Sequence, residues 1–290
     1  MKVLVTGSDG FIGRNLMAAL GDRAVPFDLK QGFDARSWAD VTMALKQGID
    51  AVVHLAALSG VEQSIREPEA SLDNISMVQT VLDACRARGA AFLMASTAGA
   101  LSGQPRSPYA ASKLAGEAYC SAYAWSYAMR TTVLRFGNVY GPESGEKSSA
   151  IAGLCRAILR DAPFELYGDG SQRRDFIFVG DLCRGIVRAL DHGAEGQYNL
   201  ASGKLVRLDE VLQTLCRAAK RTPTVFNMPA RRGEALGTRI DISGAVEEFG
   251  FNPSTTLADG LKQTWKWFSD QTVRTDQPVG SAHPSSASPL

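Results

Sequence analysis

The chain has 290 residues, of which 45% are hydrophobic, and this is enough for a large buried core and one or two domains. Its 31 basic and 30 acidic residues leave a formal net charge of +1, so neither a nucleic acid nor a membrane surface is expected as a partner. The five cysteines and three histidines lack the spacing of disulfides or metal sites, which predicts free thiols in a reducing compartment and no metal.

The apolar run at residues 3–5 is too short for a signal peptide, and no apolar stretch has the length of a membrane span, so we expect a cytoplasmic protein. Short β-rich runs then alternate with helical patterns. Strands are predicted at residues 2–6, 24–27, 51–55, 91–95 and 131–136, and helices at residues 12–20, 67–88 and 109–127. Strands joined through helices predict an α/β fold, a doubly wound parallel sheet of the Rossmann type.

The second half of the chain has a different texture, with turn-rich segments and shorter helices. A strand at residues 197–200 is predicted to return to the main sheet. We therefore expect a doubly wound domain and a smaller domain interleaved with it. The first comprises residues 1–141, with residues 176–201 returning to it, and the second comprises residues 142–175 and 202–270. Residues 271–290, rich in Ser, Pro and Thr, are predicted to be a disordered tail.

Three glycines follow the first strand and open the first helix. Gly7 permits a tight turn, Gly10 lets the backbone approach a diphosphate, and Gly13 lets the helix pack on the strand. Asp28 ends the second strand, where a carboxylate accepts hydrogen bonds from an adenosine ribose; otherwise it is a solvated turn residue. This pattern predicts a dinucleotide cofactor. Because a carboxylate repels a 2′-phosphate, Asp28 favours NAD over NADP, a preference that Lys30 could soften.

Tyr109 and Lys113 lie four residues apart in a predicted helix and therefore share a face. A nearby ammonium group lowers the pKa of a phenol from its usual value of about 10. We expect Tyr109 to exchange a proton with a substrate hydroxyl while the carbinol hydrogen leaves as hydride, and Lys113 to hold the nicotinamide ribose. The end of the fourth strand supplies further hydroxyls. Thr97 is the predicted partner of the reacting oxygen, and Ser96 is the alternative.

These residues together resemble the extended short-chain dehydrogenase/reductase family, in particular its NAD-dependent nucleotide-sugar epimerases and dehydratases. The resemblance covers residues 1–268, and its motifs follow the family's order. They are TGSDGFIG at residues 6–13, VHLAA at 53–57, Ser96-Thr97, YAASK at 109–113, RFGNVYGP at 135–142, GDGSQRRDF at 168–176 and YNL at 198–200. The resemblance implies NAD as cofactor, a nucleotide-sugar substrate, and a homodimer that packs the two long helices into a four-helix bundle.

The resemblance also assigns further site residues. In the cofactor site it implies Phe11 and Ile12 on the glycine loop, Ala56 and Ala57 beside the nicotinamide ribose, Asp34 near the adenine, and Asn74 on the first long helix. In the substrate site it implies Ser96 near the sugar, Asn138 on the sugar nucleotide, and Arg174 and Arg231 on its diphosphate. Forked guanidinium groups suit that last role because they bind phosphate oxygens in pairs.

The chain departs from the family pattern at positions that bear on the reaction. Family members that eliminate water or decarboxylate usually carry acidic residues after the strand-4 hydroxyl, where this chain has Ala98 and Gly99. A dehydratase or decarboxylase is therefore disfavoured. The Tyr-Gly pair that usually closes this loop reads Ser102-Gly103, and the segment between residues 28 and 51 is short for the family.

Three functions fit these observations. The first is a nucleotide-sugar epimerase that acts at C4 through a transient 4-keto sugar. The second is an NAD(P)H-dependent 4-keto-sugar reductase, which would use the same residues but release its cofactor in every cycle. The third is a non-catalytic dinucleotide-binding protein on the same fold, which the intact Tyr109 and Lys113 disfavour.

Overall fold

Apolar, β-branched runs form a central sheet that is covered on both faces. The computed structural model describes residues 1–101, 103–230, 237 and 239–275, with the backbone alone for residues 272–275. Val3, Val5 and Val53 have no exposed surface, as expected for strands of a parallel sheet between two layers of helices. The strands are β1 (Val3–Thr6), β2 (Ala24–Phe27), β3 (Ala51–His54), β4 (Ala91–Thr97), β5 (Thr131–Phe136), β6 (Asn138–Tyr140), β7 (Phe164–Tyr167), β8 (Arg173–Arg174), β9 (Phe176–Phe178), β10 (Gly196–Leu200), β11 (Val206–Arg207) and β12 (Val225–Met228).

Helices connect these strands and cover the sheet. They are α1 (Phe11–Leu20), α2 (Trp38–Leu45), α3 (Val61–Arg66), α4 (Ala70–Arg88), α5 (Pro108–Tyr127), α6 (Ala150–Leu159), α7 (Val179–His192), α8 (Leu208–Ala219), α9 (Ser243–Phe249) and α10 (Leu257–Thr275). Within the described ranges, no helix is both long and apolar enough to cross a membrane.

The main sheet confirms the predicted α/β fold. In the described part of the chain it has six parallel strands in the order β10-β5-β4-β3-β1-β2. The chain leaves β1 towards β2 on one side and returns to β3 on the other. This reversal opens a crevice at the carboxyl ends of β1 and β3, which is where ligands bind in open α/β sheets. β10 lies beside β5, so residues 196–200 return to the main sheet as predicted.

The second half of the chain packs on the end and face of this sheet. Outside the main sheet, the described residues form three two-stranded pairs: β6 with β9, β7 with β12, and β8 with β11. Helix α7 packs on α1, and α10 packs on α6 and α8. One hydrophobic cluster includes Val5 of the main sheet, Leu154 of α6 and Leu215 of α8, so the two halves share a continuous core.

The long helix predicted at residues 67–88 is α4 in the structure; it starts three residues later than predicted, and a separate short helix precedes it. Helix α3 ends at Arg66, and α4 begins at Ala70. Pro68 causes the break, because a proline cannot donate to the preceding turn and disfavours helical backbone in the residue before it. Glu67 accordingly has φ −130° and ψ 69°.

The predicted disorder of residues 271–290 is wrong for residues 271–275. These residues form the last turn of α10. They contain neither Gly nor Pro, so the helix that starts at Leu257 continues past its last aromatic residue, Phe268. Residues 276–290 lie outside the described residues.

Helix α5 lies directly against β4. Ser107 caps its first turn by accepting a hydrogen bond from the Ala110 N–H, and Pro108 occupies the first helical position. Gly116 allows the close approach, because a Cβ atom there would lie 2.4 Å from Cε of Met94. The same helix packs along α4.

Candidate active site

The glycine loop after β1 forms a cradle against the loop after β3. Gly7 has φ +73°, and a Cβ atom there would lie 2.8 Å from the backbone N of Ala56. A Cβ atom on Gly13 would lie 2.1 Å from the carbonyl oxygen of Gly7. These two positions therefore require glycine. The close packing brings the backbone of the loop to the crevice between β1 and β3.

Helix α1 presents its N-terminus to this crevice. Gly10 precedes the helix with extended backbone, and no described side chain caps it. The first N–H groups of a helix, including those of Phe11 and Ile12, have no acceptor within the helix. Such a terminus favours an anion. The cradle and the uncapped helix together fit the diphosphate of a dinucleotide.

Asp28 lies beside the glycine loop at the end of β2. Its carboxylate accepts hydrogen bonds from the Asp9 N–H and the Lys30 N–H, both at 2.9 Å. Asp34 lies further along the same connection, where Arg36 binds both of its oxygens at 2.7 to 3.1 Å and also reaches Asp73 on α4. The Arg36 guanidinium holds the pKa of Asp34 below its ordinary value. The assignment of Asp28 to the adenosine ribose and of Asp34 to the adenine stays a prediction.

Asn74 and Ala56 hold the loop that follows β3. The Ala56 N–H donates to the Thr6 hydroxyl at 3.3 Å. The Asn74 amide accepts from the Leu58 N–H at 2.8 Å and donates to the Leu58 carbonyl and the Ser112 hydroxyl, both at 3.2 Å. Asn74 therefore ties the loop containing Ala56 and Ala57 to helix α5.

Tyr109 and Lys113 lie on one face of α5, as predicted, with the Lys113 ammonium 5.9 Å from the centroid of the Tyr109 ring. Lys113 is buried, and burial lowers its pKa to about 8. Burial raises the pKa of Tyr109 to about 12. The predicted lowering of the phenol pKa is therefore not seen in the chain by itself, where loss of hydration sets the direction of the shift.

The two candidate hydroxyls at the end of β4 have different surroundings. Ser96 is buried and donates to Glu117 Oε1 at 2.5 Å. The same carboxylate binds Arg135 Nε at 2.9 Å and Nη2 at 2.5 Å. Thr97 is partly exposed, and its hydroxyl accepts from the Gly99 N–H at 3.2 Å. The Ser96 hydroxyl is thus committed to the interior, whereas the Thr97 hydroxyl still has a proton to donate.

Glu117 and Arg135 were missed in the sequence. Glu117 lies four residues after Lys113, so the spacing that pairs Tyr109 with Lys113 places it on the same helix face. That spacing was the available signal. Arg135 stands in the RFGNVYGP motif but carries no local sign of its ionic partner.

His54 is a further residue that the sequence did not single out. Its Nδ1 lies 2.8 Å from the Thr6 hydroxyl, and its Nε2 has no hydrogen-bond partner within the described ranges. Burial, with a smaller effect from the Lys113 charge, lowers the pKa of His54 to about 3. The imidazole is therefore neutral at physiological pH. The His54 side chain therefore adds no positive charge beside α5.

Two of the predicted substrate residues, Asn138 on β6 and Arg174 on β8, lie on neighbouring segments that meet at Asp175. Asn138 is exposed and donates to the Asp175 carbonyl at 3.3 Å, while Arg174 donates to the Arg173 carbonyl at 2.8 Å. The Asp175 carboxylate accepts from the Ser202 and Gly203 N–H groups and holds this turn. Arg231 and Ser102 lie outside the described residues.

Known proteins share this arrangement over nearly the whole chain. An uncharacterized UDP-glucose epimerase, YtcB, of Bacillus subtilis is 31% identical over 304 residues, covering 90% of this chain and 96% of its own. A dTDP-glucose 4,6-dehydratase of Streptomyces griseus is 30% identical over 92% of this chain and 93% of its own. A UDP-glucose 4-epimerase of Thermus thermophilus, solved in complex with NAD, has a TM-score of 0.86 at 30% identity, covering 93% of this chain and 99% of its own.

The family model that matches describes the NAD dependent epimerase/dehydratase family and spans residues 3–201. These residues include the glycine cradle, helix α5 and strand β10, which returns to the main sheet. The match confirms the resemblance that the motifs indicated. The chain belongs to the NAD-dependent epimerase/dehydratase family.

Proposed function

We propose that the protein is an NAD-dependent nucleotide-sugar epimerase that inverts C4 through a transient 4-keto sugar. Relatives at similar identity include both epimerases and dehydratases, so similarity alone does not separate the two reactions. The observation that carries the proposal is the turn Ala98–Ala100, which follows Thr97 without any acidic residue. A Cβ atom on Gly99 would meet its neighbours at 3.6 to 3.7 Å, an ordinary distance. The packing around Gly99 therefore leaves room for the Cβ atom of a larger residue at this position.

The cofactor site is assigned to the glycine cradle. The N–H groups of Phe11 and Ile12 would hold the diphosphate of NAD, and Asp28 would accept the adenosine ribose hydroxyls. Asp34 would approach the adenine, and Lys113 would hold the nicotinamide ribose. When bound, oxidised NAD supplies the acceptor for the sugar hydride and a positively charged ring.

The proton steps are assigned to Tyr109 and Thr97. Tyr109 takes the proton of the C4 hydroxyl and returns it after the 4-keto sugar has turned over, while the Thr97 hydroxyl donates to the reacting oxygen. Because burial raises the pKa of Tyr109 to about 12, its phenolate needs positive charge nearby. Lys113, with a pKa of about 8, supplies such a charge at neutral pH.

The sugar nucleotide is assigned to the space between the main sheet and the second half of the chain. Asn138, Arg174 and Arg231 are the proposed contacts, with the arginines on the diphosphate. We assign residues 142–175 and 202–270 to a smaller substrate domain on this basis.

A homodimer through α4 and α5 is the proposed assembly. These helices pack side by side and leave large apolar side chains in solvent, with Leu72 66% and Trp125 92% exposed. Leu72 lies near the start of α4 and Trp125 near the end of α5, and exposed apolar side chains along packed helices support an interaction surface. All five cysteines lie in the described part of the chain as free thiols, which supports a cytoplasmic protein.

The first prediction concerns turnover without net redox change. We would incubate the protein with UDP-glucose, UDP-N-acetylglucosamine or UDP-glucuronate, with trace NAD and no reductant. NMR would then follow the configuration at the sugar C4, and one of the three sugars should be converted to its C4 epimer. Tyr109→Phe should lower the rate by a factor of about 100 or more, because it removes the proton acceptor, yet still bind NAD. Near-normal turnover by Tyr109→Phe would contradict the mechanism. Stoichiometric consumption of NADH or NADPH with a 4-keto sugar would favour the reductase.

The second prediction separates the two hydroxyls. Thr97→Ala should lower kcat by about 10- to 100-fold with little loss of stability, and Thr97→Ser should restore much of the rate. Ser96→Ala should instead lower the free energy of unfolding by about 1–3 kcal/mol, because it removes a hydrogen bond from the buried Glu117 carboxylate. Steady-state kinetics and urea unfolding measure the two effects. If the kinetic loss followed Ser96 and spared Thr97, the assignment would be reversed.

The third prediction follows from the burial of Lys113, whose ordinary pKa is 10.5. Below pH 8 the folded and unfolded chains both bind the proton, and the folded state carries the full cost of the buried charge. Between pH 8 and 10.5 the unfolded chain binds more protons, so this group makes stability rise with pH. The stability advantage of cofactor-free Lys113→Met over the parent should therefore shrink between pH 7.5 and 9.5, by on the order of 1 kcal/mol.

Urea unfolding at the two pH values measures this difference, and comparison with the parent cancels the contribution of the cysteines. Lys147→Met serves as a second case, because burial also lowers the pKa of Lys147 to about 8. An advantage that stayed constant or grew with pH would contradict the assignment.

The fourth prediction concerns assembly. Leu72→Glu should convert a dimer to a monomer, because it places a charge in the apolar face of the bundle. Leu29→Glu is the matched control, since Leu29 is 67% exposed but lies in the turn after β2. Size-exclusion chromatography with light scattering gives the mass of each. A monomeric parent, or equal masses for parent and Leu72→Glu, would refute the proposed interface.

A further inference from the structure

A short segment after β6 crosses helix α1 beside the glycine loop. We call residues 142–147 the strap. The Pro142 carbonyl accepts a hydrogen bond from the Asn15 amide at 3.0 Å. The Glu143 carboxylate accepts from Arg14 Nη1 at 3.1 Å. Asn15 and Arg14 lie on the first turns of the helix whose N-terminus faces the cofactor crevice, so the strap borders that crevice.

Both ends of the strap are anchored. The second carboxylate oxygen of Glu143 accepts from Trp267 Nε1 on α10 at 3.0 Å. Glu143 has φ +67°, a left-handed conformation that is strained for a residue with a side chain and persists where neighbours fix it. At the other end, the buried Lys147 ammonium donates to the Val139 carbonyl at 2.7 Å and lies 5.1 Å from the centroid of the Phe11 ring.

Between these anchors, the strap brings Glu146 to the ribose end of the crevice. Its carboxylate lies 3.5 Å from the ammonium of Lys30. Lys30 is in the turn that follows Asp28, and its backbone N–H donates to the Asp28 carboxylate. One residue thus contacts Asp28 through its backbone and Glu146 through its side chain.

We propose that Glu146 determines cofactor specificity by holding the Lys30 ammonium away from the place that a 2′-phosphate would occupy. The inference rests on the proposed function, in which Asp28 binds the adenosine ribose. A 2′-phosphate would bring about two negative charges next to Asp28 and would need a cation there. Lys30 is positioned to supply that cation, but Glu146 competes for it. With Lys30 paired, the site selects NAD.

The experiment measures the dissociation constants of NAD and NADP by calorimetry on the full chain, at low salt and after removal of co-purified dinucleotide. Glu146→Gln should lower the ratio of the NADP dissociation constant to the NAD dissociation constant by about two- to fivefold, the range expected from freeing the partner of one exposed ion pair. Glu210→Gln on α8 is the control for net charge and should leave the ratio unchanged. An unchanged ratio in Glu146→Gln overturns the inference.

The role of Lys30 is tested in a double-mutant cycle. In a Lys30→Met background, Glu146→Gln frees no ammonium, so the ratio should change by less than about twofold. If the full gain persisted without Lys30, the proposed competition would be refuted. Added salt should also reduce the gain in the chain that retains Lys30, because these side chains are exposed.

Asp28→Asn separates this inference from the proposed function. A weaker NAD affinity in Asp28→Asn supports the ribose site at Asp28. If that loss were seen but Glu146→Gln left the ratio unchanged, the inference would fail and the cofactor site would stand. If Asp28→Asn bound NAD as tightly as the parent, the cofactor placement and the inference would both fail.

Discussion

The buried carboxylate of Glu117 fixes helix α5 relative to the main sheet. It accepts hydrogen bonds from Ser96 on β4 and from two nitrogens of Arg135 on β5. A buried carboxylate is costly unless such partners satisfy it, and removal of one partner is strongly destabilising. These hydrogen bonds therefore fix the position of α5 relative to β4 and β5. Because Tyr109 and Lys113 share a helix with Glu117, and Thr97 follows Ser96, the Glu117 carboxylate also fixes Tyr109 and Lys113 relative to the Thr97 hydroxyl.

Burial around this contact suppresses charge. It drives Tyr109, Lys113 and His54 towards their neutral forms by raising the pKa of the phenol and lowering those of the ammonium and the imidazole. In such surroundings a charge brought in by a ligand acts strongly, because little water screens it. A charged nicotinamide ring bound beside Tyr109 would therefore lower the pKa of its phenol. The chain supplies the geometry of the site, and the ligand completes its electrostatics.

Local patterns predicted the parts of this molecule that depend on local physics. The alternation of strands and helices fixes the doubly wound sheet, and Gly7 and Gly13 mark positions where a Cβ atom would collide with backbone. The choice between Ser96 and Thr97 was not accessible, because neighbours on a strand face opposite sides and only the packing of α5 shows which side holds Glu117. Contacts of the strap were also inaccessible, since they join Arg14 to a residue 129 positions away.

In the proposed function, reaction type and cofactor preference are set at two separate positions on the same scaffold. We propose that reaction type depends on the turn after Thr97, where the backbone geometry does not require Gly99 to lack a side chain. Cofactor preference depends on the turn after Asp28 and on the strap that crosses to it. Gly99 and Glu146 themselves are exposed, so substitutions at these two positions cost little stability. On this proposal, reaction type and cofactor preference can change independently while Glu117 holds α5 in place, which agrees with the presence of both epimerases and dehydratases among the relatives of this chain.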